Sequence, residues 1–244
     1  MPNRLLLIAA HPDDIALSIG GVTSRLAAAE VLLITCFSQS CSSAVSDLAT
    51  VSRLRAAEDD AYAADLGFQV ARLDLPDTNV RTDAGRRPLR SEDEADVRAM
   101  LRKRLGAVVR NWNADAVFVP MGIGAHLDHL HCNECAVESF ASETLIFYED
   151  LPYADMEGGP SATIRLAAEK YPDRRPRLIS LAAGEFDCKL RRLDHYRSQI
   201  APQWKQAVER YAKALVASGG YHERCWIRPP LNSTITVLLD GGFV

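Results

Sequence analysis

Lysine is scarce in this chain. Only 5 Lys stand against 23 Arg, and 32 carboxylates outweigh these cations for a formal charge of −4. That balance excludes the broad basic surface that nucleic acid requires. The Arg bias accompanies a high Ala content and reads as composition, not as a phosphate-binding patch. Long apolar runs are missing as well. None approaches the ~20 residues a membrane-spanning helix needs. Met1-Pro2-Asn3-Arg4 leads into six apolar residues, Leu5 to Ala10, before His11, which is short for the core of a secretory signal. The expected location is the cytoplasm, where a reducing environment keeps thiols free. The six cysteines include one CxxC, Cys132-Asn133-Glu134-Cys135. No second CxxC completes a four-cysteine zinc site, and the pair falls inside an apparent helix, Leu130 to Phe140. Gly20-Gly21 is not the GxGxxG of a dinucleotide site. Internal repeats, low-complexity segments and linkers are absent too.

What is present is a regular alternation of strand and helix. Apolar runs at Leu5–Ala9, Val31–Cys36, Val70–Leu75, Ala116–Pro120 and Glu143–Tyr148 read as strands. Between them Ile15–Ala29, Asp47–Leu66 (stopping at Gly67) and Ser91–Asn111 read as helices. Ser91 followed by Glu94 has the form of a capping box. Ser38–Ser46 and Pro76–Pro88 are loops. Strands joined in this way build βαβ units and a parallel sheet. The expected fold is therefore α/β, a Rossmann-like, mostly parallel sheet with helices on both faces. Residues 151–244 are less regular. Ser161–Arg177 reads as a surface excursion, Gly184–Gln199 and Pro202–Ser218 as helices, and Ile235–Leu239 as a late strand. At 244 residues and 48% hydrophobic content, a single domain over 1–244 is expected, with its core in about 1–150 and a substrate-shaping part in 151–244.

Chemistry concentrates where two strands end. Ala10-His11-Pro12-Asp13-Asp14 follows the first strand, and His126-Leu127-Asp128-His129 follows the fourth. Burying such groups without partners is costly. If the strand order is 3-2-1-4-5, it reverses between strands one and four, the place where ligands bind in an open α/β sheet. Both clusters then meet there. Two imidazoles and a carboxylate with one open position suit catalytic zinc, and also non-haem Fe2+ or another divalent metal. At a strand-to-helix turn, His11 and Asp14 are spaced to share an ion, which leaves Asp13 available as a base. Pro12 stiffens that turn. Arg55 and Glu58 lie one helical turn apart, like many solvated ion pairs. Asp77 follows the third strand on the same edge. His131, His195 and His222 read as surface or satisfied core histidines.

With these motifs the chain resembles the PIG-L/LmbE-like zinc deacetylases, whose signatures are (A)HPDD(E) and HxDH. Weaker similarities are Arg55-Ala56-Ala57-Glu58, Leu66-Gly67, Pro76-Asp77, Lys189 and Ser198-Gln199, so the likeness spans roughly residues 4–200. The resemblance implies zinc held by His11, Asp14 and His129, with Asp13 as general base. It implies His126 as the group that steadies the oxyanion as an imidazolium, oriented by Asp128. It implies that Arg55 and Asp77 contact the sugar of a small-molecule amino-sugar substrate, an N-acetylglucosaminide or related conjugate from which an acetyl group is removed. Thiol S-conjugate amidase activity within the family, or a zinc- or ligand-binding protein without catalysis, are the alternatives. A homo-oligomer is compatible with this picture. The sequence departs from the family in having Ile15 where many members have Glu, and Gly122-Ile123-Gly124-Ala125, without a Tyr, before His126.

Overall fold

The computed structural model describes residues 3–41, 47–82, 89, 91–110, 112–141, 144–230 and 233–240. Seven strands form one sheet: β1 (Arg4–Ala9), β2 (Glu30–Thr35), β3 (Gln69–Arg72), β4 (Ala116–Pro120), β5 (Leu145–Tyr148), β6 (Arg175–Leu181) and β7 (Tyr221–Ile227). Their order is β3-β2-β1-β4-β5-β7-β6. The first five are parallel, in the expected 3-2-1-4-5 arrangement. β1 pairs on one side with β2 (Leu7↔Leu33) and on the other with β4 (Leu7↔Phe118). Leu5 to Ala10 are all buried, as expected for a central strand covered on both faces.

Among the described residues ten α-helices accompany the strands: α1 (Asp14–Thr23), α2 (Leu48–Leu66), α3 (Thr78–Arg81), α4 (Ser91–Val109), α5 (Leu127–Ser139), α6 (Tyr153–Met156), α7 (Gly159–Lys170), α8 (Ala183–Arg192), α9 (Pro202–Ala214) and α10 (Ser233–Asp240). Asp47 caps α2 by accepting from the Thr50 amide at 3.1 Å. Among the described residues, no helix is long and apolar enough to cross a membrane.

The second half differs from the sequence expectation in three ways. Ser161–Arg177 is not an irregular excursion, because α7 occupies most of it and β6 begins at Arg175. β6 is an edge strand reading RPRLISL, whose Pro and Arg are tolerated only because one side of its ladder is free. β7 reads YHERCWI, and its buried Glu223 and Arg224 disguise the apolar alternation. Ile235–Leu239 is helical, not a strand. Its buried residues Ile235 and Leu239 are four apart, one helix face. Both added strands run antiparallel to their neighbours. At Ser91 the helix begins where expected, but the Glu94 carboxylate is committed to Arg81 (2.8 and 2.9 Å) and His131 (2.7 Å).

The added strands also grip the helix that leads out of β1. α1 leaves helical geometry at Ile19 (φ −125°, ψ 25°) and ends at Thr23, short of Ala29. The freed amides of Gly21 and Val22 donate to Glu223 at 2.9 and 2.8 Å, and Lys189 donates to the same carboxylate at 2.6 Å. A Cβ on Gly21 would stand 2.4 Å from Leu181 Cδ1. Only glycine allows this approach.

Candidate metal centre

The carboxyl ends of β1 and β4 deliver both motifs to one place. His11 follows β1, Asp13 occupies the N-cap position of α1, and Asp14 is its first residue. His126 caps α5, so Asp128 and His129 lie in the first helical turn, which starts earlier than Leu130. The turn before His126 holds Gly122 at φ 79° and Gly124 at φ 81°. A Cβ on Gly124 would lie 2.7 Å from Tyr153 Cβ, so glycine lets α6 close over the site.

Three donor atoms converge. His129 Nε2 lies 3.3 Å from His11 Nδ1 and 3.4 Å from Asp14 Oδ1. Asp14 Oδ2 accepts from the His11 backbone amide at 2.7 Å, which turns Oδ1 toward the histidines. Each imidazole is backed by a carboxylate: His11 Nε2 meets Asp128 Oδ2 at 3.0 Å, and His129 Nδ1 meets Asp150 Oδ1 at 2.6 Å. These carboxylates assign the ring protons to the outer nitrogens. Two lone pairs and a carboxylate oxygen then face one another, an arrangement that repels itself unless a cation or proton lies between. Ligands on a tetrahedral zinc stand roughly 3.3–3.5 Å apart, so the residues present fit such an ion, and carboxylate-backed histidine is its usual setting. The same charges act on a proton. Burial opposes charge on His129, but Asp14 and Asp150 outweigh it and lift the ring to about 9. Burial opposes charge on His11 too, and Asp128 and Asp14 raise it nonetheless.

Asp128 differs from its expected part. Its carboxylate bonds His11 and not His126. Oδ2 also accepts from the Thr78 amide and hydroxyl, both at 2.9 Å, and Oδ1 forms an ion pair with Arg81 Nη2 at 2.7 Å. Burial raises the Asp128 carboxyl, but His11 and Arg81 prevail and hold it well below the usual range. Among the described residues, His126 accepts from the Asp128 backbone amide alone, at Nδ1 and 3.3 Å. Burial, then the neighbouring His11 and His129, push His126 down to about 4. Both effects disfavour the imidazolium expected of it.

A cavity of about 290 Å³ opens above these residues. Asp13 lines it, and burial with the adjacent Asp14 pushes its carboxyl up to about 6. Arg55 and Asp77 line it as well. Ser40 Oγ ties them together, donating to Asp77 at 2.6 Å and accepting from Arg55 at 3.0 Å. Arg55 Nε is buried without a hydrogen-bond partner. Glu58 is no solvated ion-pair member. It is buried and accepts from the Ser198 amide and hydroxyl, both at 2.7 Å, and from Gln199 at 3.0 Å, carrying Ser198 and Gln199 to the cavity rim. Tyr153, Met156 and Trp204 supply a less polar wall. The Tyr153 ring packs 5.8 Å from His126 and 5.4 Å from His129, so a tyrosine reaches the second motif from α6. Sequence reasoning missed Asp150, Thr78 and Arg81. For Asp150 a signal existed, since it too follows a strand, β5.

Comparison with known proteins agrees with this geometry. The family model described as PIG-L, GlcNAc-PI de-N-acetylase, matches residues 6–140. A 2′-N-acetylparomamine deacetylase from Streptomyces fradiae is 27% identical over 253 residues, covering 93% of this chain and 91% of that protein. A deacetylase of the teicoplanin biosynthesis pathway superposes with a TM-score of 0.76 at 22% identity, covering 92% of this chain and 97% of that one. Its zinc-inhibited form gives 0.73 over the same shares, also at 22% identity. An A40926 pseudoaglycone deacetylase gives 0.72 at 22% identity, covering 95% of this chain and all of that one. These structures share the architecture of mostly parallel strands with flanking helices.

Proposed function

We propose, from the premise that this chain belongs to the PIG-L family, that it is a metal-dependent N-deacetylase. The substrate we infer is an acetylated amino sugar, an N-acetylglucosaminide or an aminoglycoside-like conjugate, as the names of its relatives suggest. His11, Asp14 and His129 hold the metal, and zinc suits two imidazoles and a carboxylate best. The observation that carries this reading is the convergence of His11 Nδ1, His129 Nε2 and Asp14 Oδ1, with both imidazoles backed by buried carboxylates.

A bound zinc supplies Lewis acidity, bringing its water toward a pKa of about 7 and polarising the amide carbonyl. The rest falls to the protein. Asp13 stands on the cavity wall beside the donors and takes the proton of the attacking water. A base poised near 6 is well matched to that task at neutral pH. His126 accepts the Asp128 amide at Nδ1, so its proton is on Nε2. It offers the developing oxyanion a neutral donor, preorganised by the helix it caps. Asp128 acts on the metal side, through His11. Arg55 and Asp77, which line the cavity, bind sugar hydroxyls. Tyr153, Met156 and Trp204 receive the rest of the conjugate.

We further propose that the whole chain acts as one deacetylase domain, because β7 and β6 continue the same sheet. A cytoplasmic setting suits its six free cysteines. The test is zinc content together with acetate release from a panel of N-acetylglucosaminides and 2′-N-acetylparomamine. One zinc per chain, lost in His129→Ala, with acetate released from at least one amino sugar, is the expected result. Zinc content unaffected by His129→Ala would overturn the ligand set. A zinc-loaded protein that releases no acetate would overturn the reaction.

A further inference from the structure

Arg81 lies on α3, in the loop between β3 and α4, and no motif marks it. It is nevertheless buried, at 7% exposure, and every face of its guanidinium is used. Nε and Nη2 donate to the two oxygens of Glu94 at 2.8 and 2.9 Å, Nη1 donates to the Pro76 carbonyl at 2.7 Å, and Nη2 reaches Asp128 Oδ1 at 2.7 Å. The guanidinium carbon stands 5.3 Å over the Phe37 ring. Glu94 is braced in turn by His131 of α5 at 2.7 Å. A chain of contacts therefore runs from His131 and Glu94 through Arg81 to Asp128, and from Asp128 to His11. Thr78, at the start of the same short helix, holds the other Asp128 oxygen.

We propose that Arg81 is a positioning residue of the metal centre, bridging Glu94 and Asp128 so that Asp128 fixes the ring of His11 with Nδ1 facing the ion. The inference rests on His11 being a metal ligand. A carboxylate that orients a ligating histidine must itself be held, or the imidazole is free to rotate or change tautomer. Glu94 takes the guanidinium fork, and this bidentate anchor fixes where Nη2 stands as the ion-pair partner of Asp128 Oδ1. His11 is the one proposed metal ligand that Asp128 bonds, so the effect reaches the ion through His11.

The experiment measures zinc dissociation constants by competition with a chromophoric chelator, alongside melting of the metal-free proteins. Arg81→Gln is expected to weaken zinc binding about 10–100-fold, the scale for loss of an outer partner. Arg81→Lys is expected to recover part of that loss, because it restores charge without the fork. In an Asp128→Asn background, Arg81→Gln should change the affinity by less than roughly threefold, since both act through one group. A merely structural role would lower melting temperatures without this coupling. Wild-type zinc affinity in Arg81→Lys and Arg81→Gln overturns the inference, as do losses that add fully to those of Asp128→Asn. If Arg81→Gln does not fold, Arg81→Lys and its Asp128→Asn double variant decide alone: wild-type affinity or full additivity counts against the inference. Failure of the wild type to bind zinc would strike at the ligand reading and not at Arg81.

Discussion

Asp13 and Asp14 are neighbours to which we assign different duties, and the difference is one of direction. Asp14 turns one oxygen to the His11 amide and the other to His129, while Asp13 faces the cavity. Asp13→Asn is therefore expected to keep zinc and lose about 10²–10⁴-fold in turnover, the scale of a general base. Metal analysis beside a kcat measurement checks this, and loss of zinc would show that the roles are exchanged. Asp150 has the complementary signature. It bonds His129 at 2.6 Å and the Ile123 amide at 2.9 Å, without lining the cavity. Asp150→Ala should weaken zinc binding about 10–100-fold, measured by chelator competition, and unchanged affinity would remove it from the metal's support. The proposed ligands His11, Asp14 and His129 stand out in the sequence because they sit in two compact motifs. Their supports do not, because Asp150 follows β5 while Thr78 and Arg81 both lie on α3, two segments that only the sheet order brings to the site.

At the scale of elements, the first half of the chain announces itself through continuous apolar strands and a helix stop at Gly67. The second half does not, because its strands carry buried charge. Glu149 shows why. It accepts from Arg224 at 2.6 Å, Trp226 at 2.7 Å and Tyr211 at 2.6 Å, so charged residues on β7 are core residues whose partners lie far away in sequence. A similar buried carboxylate joins α2 to β2. Asp59 accepts from Thr35 at 2.7 Å and from Tyr196 at 3.1 Å, and burial pushes it up to about 6. Folded Asp59 keeps its proton to about pH 6, whereas the unfolded chain releases it near 3.8. Between those values the folded state binds more protons, so stability falls as pH rises through the window. Asp59→Asn cannot ionise. It is expected to exceed the wild type in stability above pH 6, by at most about 3 kcal/mol at 1.36 kcal/mol per unit, and to lose that advantage below about pH 4. Melting curves at pH 4 and 7 check this, and parallel pH dependence in the two proteins would overturn it.

Across the whole molecule, the proposed metal centre would draw its ligands from the ends of two adjacent strands and its supports from two more segments of the same edge. Such a site exists only in the folded chain, so metal binding and folding are linked. At a zinc concentration of 100 times the dissociation constant, the folded state gains about 2.7 kcal/mol. Melting temperature should accordingly rise with zinc in the wild type and stay flat in His129→Ala. An equal rise in both would place the stabilising ion elsewhere. The strand order has a further consequence, in the order of synthesis. β5 reads LIFY, is fully buried and lies between β4 and β7. The ribosome delivers β7 roughly seventy residues after β5, several seconds later at about 5–20 residues per second. Throughout that interval the parallel half of the sheet ends in a bare apolar edge, open to pairing with any other emerging chain. The antiparallel pair β7–β6 closes that edge last, so the crowded ribosome, more than the finished fold, is where this protein is most exposed to aggregation.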